Sequence, residues 1–305
     1  MDSIFVAIAS YRDPECPWTV RDLFRTAGDP GRVFVGLCWQ FISPDDDECF
    51  ALVTRPQQVR CVGYDARQSL GPCWAKCQAQ KLWRGEDYLL IIDSHMRFAQ
   101  GWDVALIDML NACPSQKPIL STYPSVYAPP DRVVQGTPQL VPREFEEDLL
   151  VFGSLYREMT TPLRGGLLAG GFMFCRAGFL REVPYDPRLY FTGEEIAMSV
   201  RAWTWGWDVF TPHRCLIYHQ CERPGVARHW DDNPDWWHRH AFAVERVKHL
   251  LGVCFSPHPE VSLDLGMLEP YGLGPLRSVA DFERFVGVSL RQRAISERAR
   301  RGEFG

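Results

Sequence analysis

Apolar runs of strand length recur through the first third of the chain. Residues 4–9, 32–39 and 87–92 are almost continuously apolar, and residues 60–64 form a shorter run between them. Runs of this kind are typical of strands that are buried on both faces of a parallel sheet. The pattern therefore predicts a sheet whose first strands are covered on both faces.

Helical segments separate these apolar runs. Residues 18–26 and 73–84 place apolar side chains at helical spacing, and a second pair of elements, a short apolar strand over 172–175 and a helix over 194–205, follows later. Strands that alternate with helices predict an α/β protein with a mostly parallel central sheet and helices on both faces.

Other parts of the chain are less regular. Residues 124–142 are rich in proline and predict a long connection with little regular structure. A strand is expected over 215–219 and a helix up to about residue 251. The tail over 291–301 is interpreted as either a charged helix or a disordered segment.

Composition narrows the classes of function. The chain has 305 residues, of which 46% are hydrophobic and 23% charged, as in an ordinary globular protein. Its net charge of -5 argues against a general nucleic-acid binder, because such proteins need clustered cations. The first apolar run is too short for a signal peptide, and no later run predicts a membrane span. A cytoplasmic location is the resulting expectation.

The polar residues that end two buried strands are the strongest chemical signal. Residues 10–13 follow the first strand, and Asp93, Ser94 and His95 follow the strand over 87–92. Because ligands bind at the carboxyl ends of parallel strands, both groups are expected on one rim of the sheet. A carboxylate and an imidazole together suit Mn²⁺ better than Mg²⁺, in a site where the cation bridges two phosphates.

A third metal ligand is needed from elsewhere in the chain. His219 is the candidate, because it ends the predicted strand over 215–219. His213 is the alternative, although its position after a proline favours a packing or surface role.

Glu194 and Glu195 open a predicted helix whose apolar face includes Ile196 and Val200. Two interpretations remain open. Acidic residues in a first turn complement the helix dipole. In the second interpretation, one of the two carboxylates orients or deprotonates an acceptor hydroxyl, or holds a hydroxyl of a donor sugar.

Two arginines and a tyrosine are candidates for binding a nucleotide. Arg12 and Arg67 have the geometry to contact a pyrophosphate with two hydrogen bonds, and Tyr11 can stack on a base. Surface salt bridges and simple packing are the alternatives. The segment 228–240, which is dense in histidine and tryptophan, predicts either the wall of a carbohydrate or peptide site or an aromatic core of its own.

Several motifs in one order resemble a known family. They are IASYRDPECPWTV, residues 67–83, DSHMRF at 93–98, GGF at 170–172, and the stretch from GEE at 193–195 to Tyr218 and His219. Together they resemble the GlcNAc-transferases of glycosyltransferase family 60 and, more distantly, the mucin-type polypeptide GalNAc-transferases.

This resemblance implies a GT-A fold that transfers GlcNAc from UDP-GlcNAc to an acceptor hydroxyl with retention of the anomeric configuration. It implies a Mn²⁺-type cation held by Asp93, His95 and His219. The best-known members modify a hydroxyproline in a protein, so a protein acceptor is one expectation. The residues expected to bind the donor are Ser10, Tyr11, Arg12, Arg67, Ser94, Gly170 and Gly171.

The expected organisation is one catalytic domain over residues 1–255, with a nucleotide-binding half to about 125, an acceptor-side half from about 126, and an extension over 256–305. Two other functions compete with transfer. A protein of the same fold could bind a UDP-sugar or a carbohydrate without turnover. A glycoside hydrolase needs two acids that flank the scissile bond, and the adjacent residues Glu194 and Glu195 diverge too much for that role.

Overall fold

The computed structural model describes residues 2–47, 55–129, 132–134, 136–253 and 268–305. The strands in these residues are β1 (Ile4–Tyr11), β2 (Val33–Phe41), β3 (Val59–Asp65), β4 (Tyr88–Asp93), β5 (Met96–Phe98), β6 (Pro118–Ser121), β7 (Ser125–Ala128), β8 (Arg132–Val133), β9 (Thr137–Glu146), β10 (Leu149–Arg157), β11 (Leu163–Arg164), β12 (Phe172–Arg176), β13 (Asp208–Thr211), β14 (Ile217–His219), β15 (Val288–Ser289) and β16 (Ala294–Ile295). The helices are α1 (Cys16–Thr26), α2 (Pro72–Gln80), α3 (Trp102–Asn111), α4 (Phe179–Glu182), α5 (Glu194–Thr204), α6 (His229–Asp232), α7 (Trp236–Leu251), α8 (Val279–Val286) and α9 (Glu297–Arg300).

An eight-stranded sheet forms the centre of the fold, in the order β11-β13-β6-β12-β4-β1-β2-β3. Strands β1 to β4 run parallel, as do β6 and β13. Strand β12 lies antiparallel to both of its neighbours, and β11 lies antiparallel to β13. The predicted α/β class is confirmed, and the parallel strands are concentrated at the β1 side of the sheet.

Each face of the sheet has its own apolar core. In β1, Phe5 and Ala7 point to one face, whereas Ile4, Val6 and Ile8 point to the other. Helices α2 and α5 cover the Phe5 face, and α1 and α3 cover the Ile8 face. This alternation explains why β1 is apolar at nearly every position.

The prediction of an irregular connection over 124–142 is wrong for its described residues, because they form β7 and most of β9. Among the strands that the structure describes, β9 pairs with β10 alone, in a two-stranded sheet. A proline has no N–H for a ladder, but an edge strand tolerates it. Pro142 stands opposite Phe152, next to a shift of register in the pairing.

A second small sheet, β5-β14-β7-β8, lies beside the central sheet. In it His219 of β14 is in register with Met96 of β5. Strand β5 begins three residues after Asp93, the last residue of β4. The pairing of β14 with β5 therefore brings His219 to the carboxyl end of β4.

The C-terminal residues pack onto the same body. Phe282 and Val286 of α8 belong to the core on the Phe5 face. The tail predicted over 291–301 as a charged helix or a disordered segment contains the short strand β16 and the one-turn helix α9. The predicted domain boundary at 255 lies outside the described residues and stays a prediction. Within the described ranges, none of the helices has the length and apolarity that a bilayer crossing requires.

Candidate active site

Asp93, His95 and His219 converge at the carboxyl end of β4. One ligand atom from each of the three lies within 4.8 Å of the others. The Nε2 atom of His219 is 3.4 Å from Oδ2 of Asp93 and 2.9 Å from Nε2 of His95. The sequence-predicted triad is therefore assembled, whereas the alternative residue His213 lies outside this cluster.

Asp13 fixes the orientation of His95. Its Oδ2 atom lies 2.7 Å from Nδ1 of His95, and it also accepts hydrogen bonds from Ser94 Oγ at 2.6 Å and from an Arg223 N–H at 3.0 Å. The Asp13 side chain is almost fully buried. A carboxylate on Nδ1 selects the tautomer that leaves Nε2 free to coordinate a metal, as is common for metal-binding histidines.

The charges of the cluster suit a divalent cation. Burial would raise the pKa of Asp93, but the hydrogen bond and charge of His219 hold that pKa well below its usual value. Burial lowers the pKa of His95, although Asp13 opposes this effect. Burial would also lower the pKa of His219, but Asp93 and Cys221 raise it to about 9. A cation held by these residues would have to displace the proton of His219, so that metal affinity would depend on pH.

Gly171 gives Asp93 the space that it occupies. A Cβ atom at position 171 would lie 2.5 Å from Oδ2 of Asp93, closer than real Cβ contacts allow. These features fit a Mn²⁺-type cation. The donor set is one carboxylate oxygen and two imidazole nitrogens, the Asp13 carboxylate supports His95, and Gly171 leaves room for the Asp93 carboxylate.

Two pockets meet at the cluster. The first, which we call the His95 pocket, has a volume of about 160 Å³ and is lined in part by Tyr11, Asp13 and His95. The second, the Glu194 pocket, has a volume of about 410 Å³ and contains Asp93 and Glu194 in its wall. The residues shared by both pockets are Ala9, Pro72 and Phe191.

Tyr11 and Ser94, both predicted to bind the donor, line the His95 pocket. The Tyr11 hydroxyl donates a hydrogen bond to Asp232 at 2.8 Å. Arg223 and Arg228 line the same pocket and supply positive charge near the metal cluster. Neither arginine was among the residues predicted to bind the donor, although Arg228 begins the segment 228–240 that was predicted as a possible wall of a binding site.

The structure places three other predicted donor residues away from both pockets. Ser10 is fully buried within β1 and is not part of either wall. Arg12 forms ion pairs with Asp46 and Asp232. Arg67 forms an ion pair with Asp65, and its side chain is 61% exposed. Both arginines have the salt-bridge role that was the alternative interpretation of each.

Glu194 and Glu195 both line the Glu194 pocket but have different partners. Glu194 Oε1 lies 2.6 Å from the ammonium of Lys76 and accepts a hydrogen bond from the Tyr185 hydroxyl at 2.9 Å. Glu195 accepts one from the Gly170 N–H at 2.9 Å and one from the Tyr123 hydroxyl at 2.6 Å. Neither carboxylate is merely a surface complement to the helix dipole.

Burial affects the ionisable groups of this pocket in opposite ways. Burial alone would lower the pKa of Lys76, but the Glu194 carboxylate raises it well above its usual value, so the amine stays charged. Burial raises the pKa of Glu195 to about 7, against the opposing effect of the Tyr123 hydrogen bond. Glu195 can therefore exchange a proton near neutral pH.

The aromatic segment over 228–240 forms part of a pocket wall. Trp230 lines the His95 pocket and contacts Phe191 with ring centroids 5.7 Å apart. Trp230 and Phe191 are 44% and 46% exposed. Trp236 packs against Tyr190 instead. The segment therefore contributes to a pocket wall and to aromatic packing, and the binding of a carbohydrate or peptide there stays a prediction.

The structure is similar to solved glycosyltransferases. GalNAc-T7 in a complex with UDP, GalNAc and Mn²⁺ aligns with a TM-score of 0.63 and 15% identity, over 92% of this chain. The chain spans 56% of the length of that protein. TarS residues 1–349 from S. aureus, in complex with UDP-GlcNAc, align with a TM-score of 0.48 and 13% identity, over 86% of this chain and 68% of that one. No curated protein sequence matches the chain.

The central sheet, its strand-end cluster and the likeness to GalNAc-T7 define a GT-A glycosyltransferase fold. The model of one family, described as "Glycosyltransferase (GlcNAc)", matches residues 3–55 and 50–292. The match covers most of the chain. The chain therefore belongs to this GlcNAc glycosyltransferase family, and the resemblance found in its motifs is confirmed at that level.

Proposed function

We propose that this protein transfers GlcNAc from UDP-GlcNAc to an acceptor hydroxyl with the help of a divalent cation. The observation that carries the proposal is the cluster of Asp93, His95 and His219, in which His95 lines one pocket and Asp93 lines the adjoining one. A nucleotide-sugar has its diphosphate between a nucleoside and a sugar. A metal site between two pockets matches that order of groups.

The two pockets divide the donor between them. The His95 pocket takes the nucleoside diphosphate, because Arg223 and Arg228 offer cationic donors to phosphate and Tyr11 offers an aromatic ring to the base. The Glu194 pocket takes the sugar, since its carboxylates and the Lys76 ammonium can bind hydroxyl groups. The UDP, GalNAc and Mn²⁺ in the similar GalNAc-T7 structure support this division by analogy.

Asp93, His95 and His219 would hold the cation, and Asp13 would keep Nε2 of His95 directed at it. A bound cation neutralises the charge that develops on a departing diphosphate. The chain itself positions the reactants. Glu194 holds a donor-sugar hydroxyl, and Glu195 faces the same pocket with a pKa near neutrality, where it can orient an acceptor hydroxyl.

We further propose that the anomeric configuration is retained by a front-face transfer, in which the departing diphosphate helps to take the acceptor proton. Neither Glu194 nor Glu195 is assigned as a covalent nucleophile, because Lys76 and Tyr185 hold the first and Gly170 and Tyr123 hold the second. A protein hydroxyl such as hydroxyproline is the acceptor suggested by the family resemblance.

The first test measures UDP release from a panel of UDP-sugars with Mn²⁺ or with EDTA, because slow donor hydrolysis requires no acceptor. We expect cation-dependent release that is selective for UDP-GlcNAc. Asp93→Ala and His219→Ala should abolish it, and His213→Ala is the matched control that should retain it. Binding of UDP without turnover, even with candidate acceptors, would favour the non-catalytic alternative. Equal release with EDTA would contradict the metal assignment.

A further inference from the structure

Lys76 occupies a special position in the Glu194 pocket. Among the described residues that line this pocket it is the one basic side chain, and it stands with the carboxylates of Asp93, Glu146, Glu194 and Glu195. The Lys76 side chain is only 7% exposed. Lysine is rarely buried unless a partner keeps it charged, so its presence at a ligand pocket calls for a specific role.

The contacts of Lys76 fix the ammonium in place. It donates to the carbonyl oxygen of Gly170 at 2.8 Å and to Glu194 Oε1 at 2.6 Å. It also lies 5.4 Å from the centroid of the Tyr185 ring. An ammonium has three N–H donors. Two of them are used by these partners, which leaves one for a ligand in the pocket that Lys76 lines.

The neighbouring carboxylate complements this donor. Glu194 is held by Lys76 and by the Tyr185 hydroxyl, and it lines the same pocket. Lys76 can only donate hydrogen bonds, whereas an ionised Glu194 can only accept them. Two neighbouring sugar oxygens, one accepting and one donating, match this pair. Adjacent hydroxyls on a pyranose ring can supply both functions.

We infer that Lys76 is a specificity-determining residue that donates a hydrogen bond to an oxygen of the donor sugar, beside the contact made by Glu194. This inference rests on the proposed function, because it assigns the sugar to the Glu194 pocket.

The test compares the binding of UDP-GlcNAc and of UDP, each with Mn²⁺, by calorimetry. The ratio of the two affinities isolates the contribution of the sugar. In Lys76→Met we expect that ratio to fall about tenfold or more, as for the loss of a charged hydrogen bond, while the affinity for UDP alone stays near that of the unchanged protein. Lys76→Arg, which keeps the charge and the donors, should recover part of the loss.

Two further variants keep the inference open to refutation. Tyr185→Phe removes the other donor to Glu194 but leaves Lys76 in place, so the affinity ratio should change less than in Lys76→Met. If Lys76→Met does not fold because Glu194 is left buried without its cation, Lys76→Met with Glu194→Gln removes both charges together. The ratio in this double variant should be lower than in Glu194→Gln alone, which separates the effect of Lys76 from that of Glu194. An unchanged ratio in a folded variant overturns the role of Lys76. Absence of UDP and UDP-GlcNAc binding by the unchanged protein instead refutes the proposed function, and the inference with it.

Discussion

Asp13 and His95 are joined by a 2.7 Å contact between Oδ2 and Nδ1, and this contact directs Nε2 of His95 toward His219. The aspartate lies two residues after the end of β1, and the histidine lies two residues after the end of β4. Adjacent strands of the sheet thus supply the orienting group and the ligand. Residues that orient a metal ligand in this way often affect affinity nearly as much as the ligand does.

Asp13→Asn should weaken the binding of Mn²⁺ by about 10- to 100-fold. The neutral amide holds the His95 ring less firmly than the carboxylate does, and it no longer raises the basicity of Nε2. Titration calorimetry in the absence of nucleotide measures this directly. Ser94→Ala is the control, because it removes one hydrogen bond to Asp13 but leaves the contact of Asp13 with His95. Equal affinity in Asp13→Asn and the unchanged protein would refute the orienting role.

Gly171→Ala should lower metal-dependent UDP release by more than tenfold. The new Cβ would stand 2.5 Å from Oδ2 of Asp93 and would push the carboxylate away from its position. Gly178→Ala is a matched control, because nothing lies within 4 Å of a Cβ at that site. Thermal unfolding of both variants should stay close to that of the unchanged protein. Full activity of Gly171→Ala would show that Asp93 has more freedom than its surroundings indicate.

The half-buried Glu195 should make stability fall as pH rises. Burial raises its pKa in the folded state from 4.5 to about 7, so the folded chain binds this proton more tightly than the unfolded chain does. The stabilising effect is present at low pH and is lost between about pH 4.5 and pH 7. Relative to Glu195→Gln, the free energy of unfolding should drop by about 2 kcal/mol between pH 5 and pH 8. Urea unfolding in EDTA at the two pH values measures the difference.

Tyr123→Phe provides the control for that experiment. The Tyr123 hydroxyl donates to the carboxylate of Glu195 and therefore favours its charged form. Without this donor the pKa of Glu195 should rise further, and the loss of stability should extend to higher pH. Parallel pH profiles for Glu195→Gln and the unchanged protein would show that Glu195 does not titrate in this range.

Some of the fold could be predicted because the signals are local. Strands β1, β2 and β4 are long apolar runs, and a strand buried on both faces has little alternative. Strand β9 could not be predicted, since Pro138 and Pro142 look like signs of a loop. Its pairing with β10 depends on residues that follow it in the chain, and that context overrides the local preference.

In the site, too, residues with local signals could be predicted and residues that depend on distant partners could not. Asp93 and His95 were identified because both follow directly from the end of a strand. Lys76 was not, because within α2 it reads as an ordinary helical residue, and its partners Gly170 and Glu194 are 94 and 118 positions away. Arg12 and Arg67 have partners that the sequence does not reveal, and their contact with a pyrophosphate stays a prediction. Their cationic side chains suggested phosphate binding, but acidic residues of the chain itself hold them.

The residues of the proposed metal site lie far apart along the chain, which affects when the site can form during synthesis. His95 and His219 are 124 positions apart, and Arg223 reaches Asp13 across 210. During synthesis the N-terminal strands emerge long before β14, so a growing chain lacks His219, and the support that Arg223 gives to Asp13, until the synthesis of its last third has begun. In the proposed metal site, retention of the ion would therefore require a chain that has folded at least as far as β14, and a product truncated before His219 would be distinguishable by its failure to retain the ion.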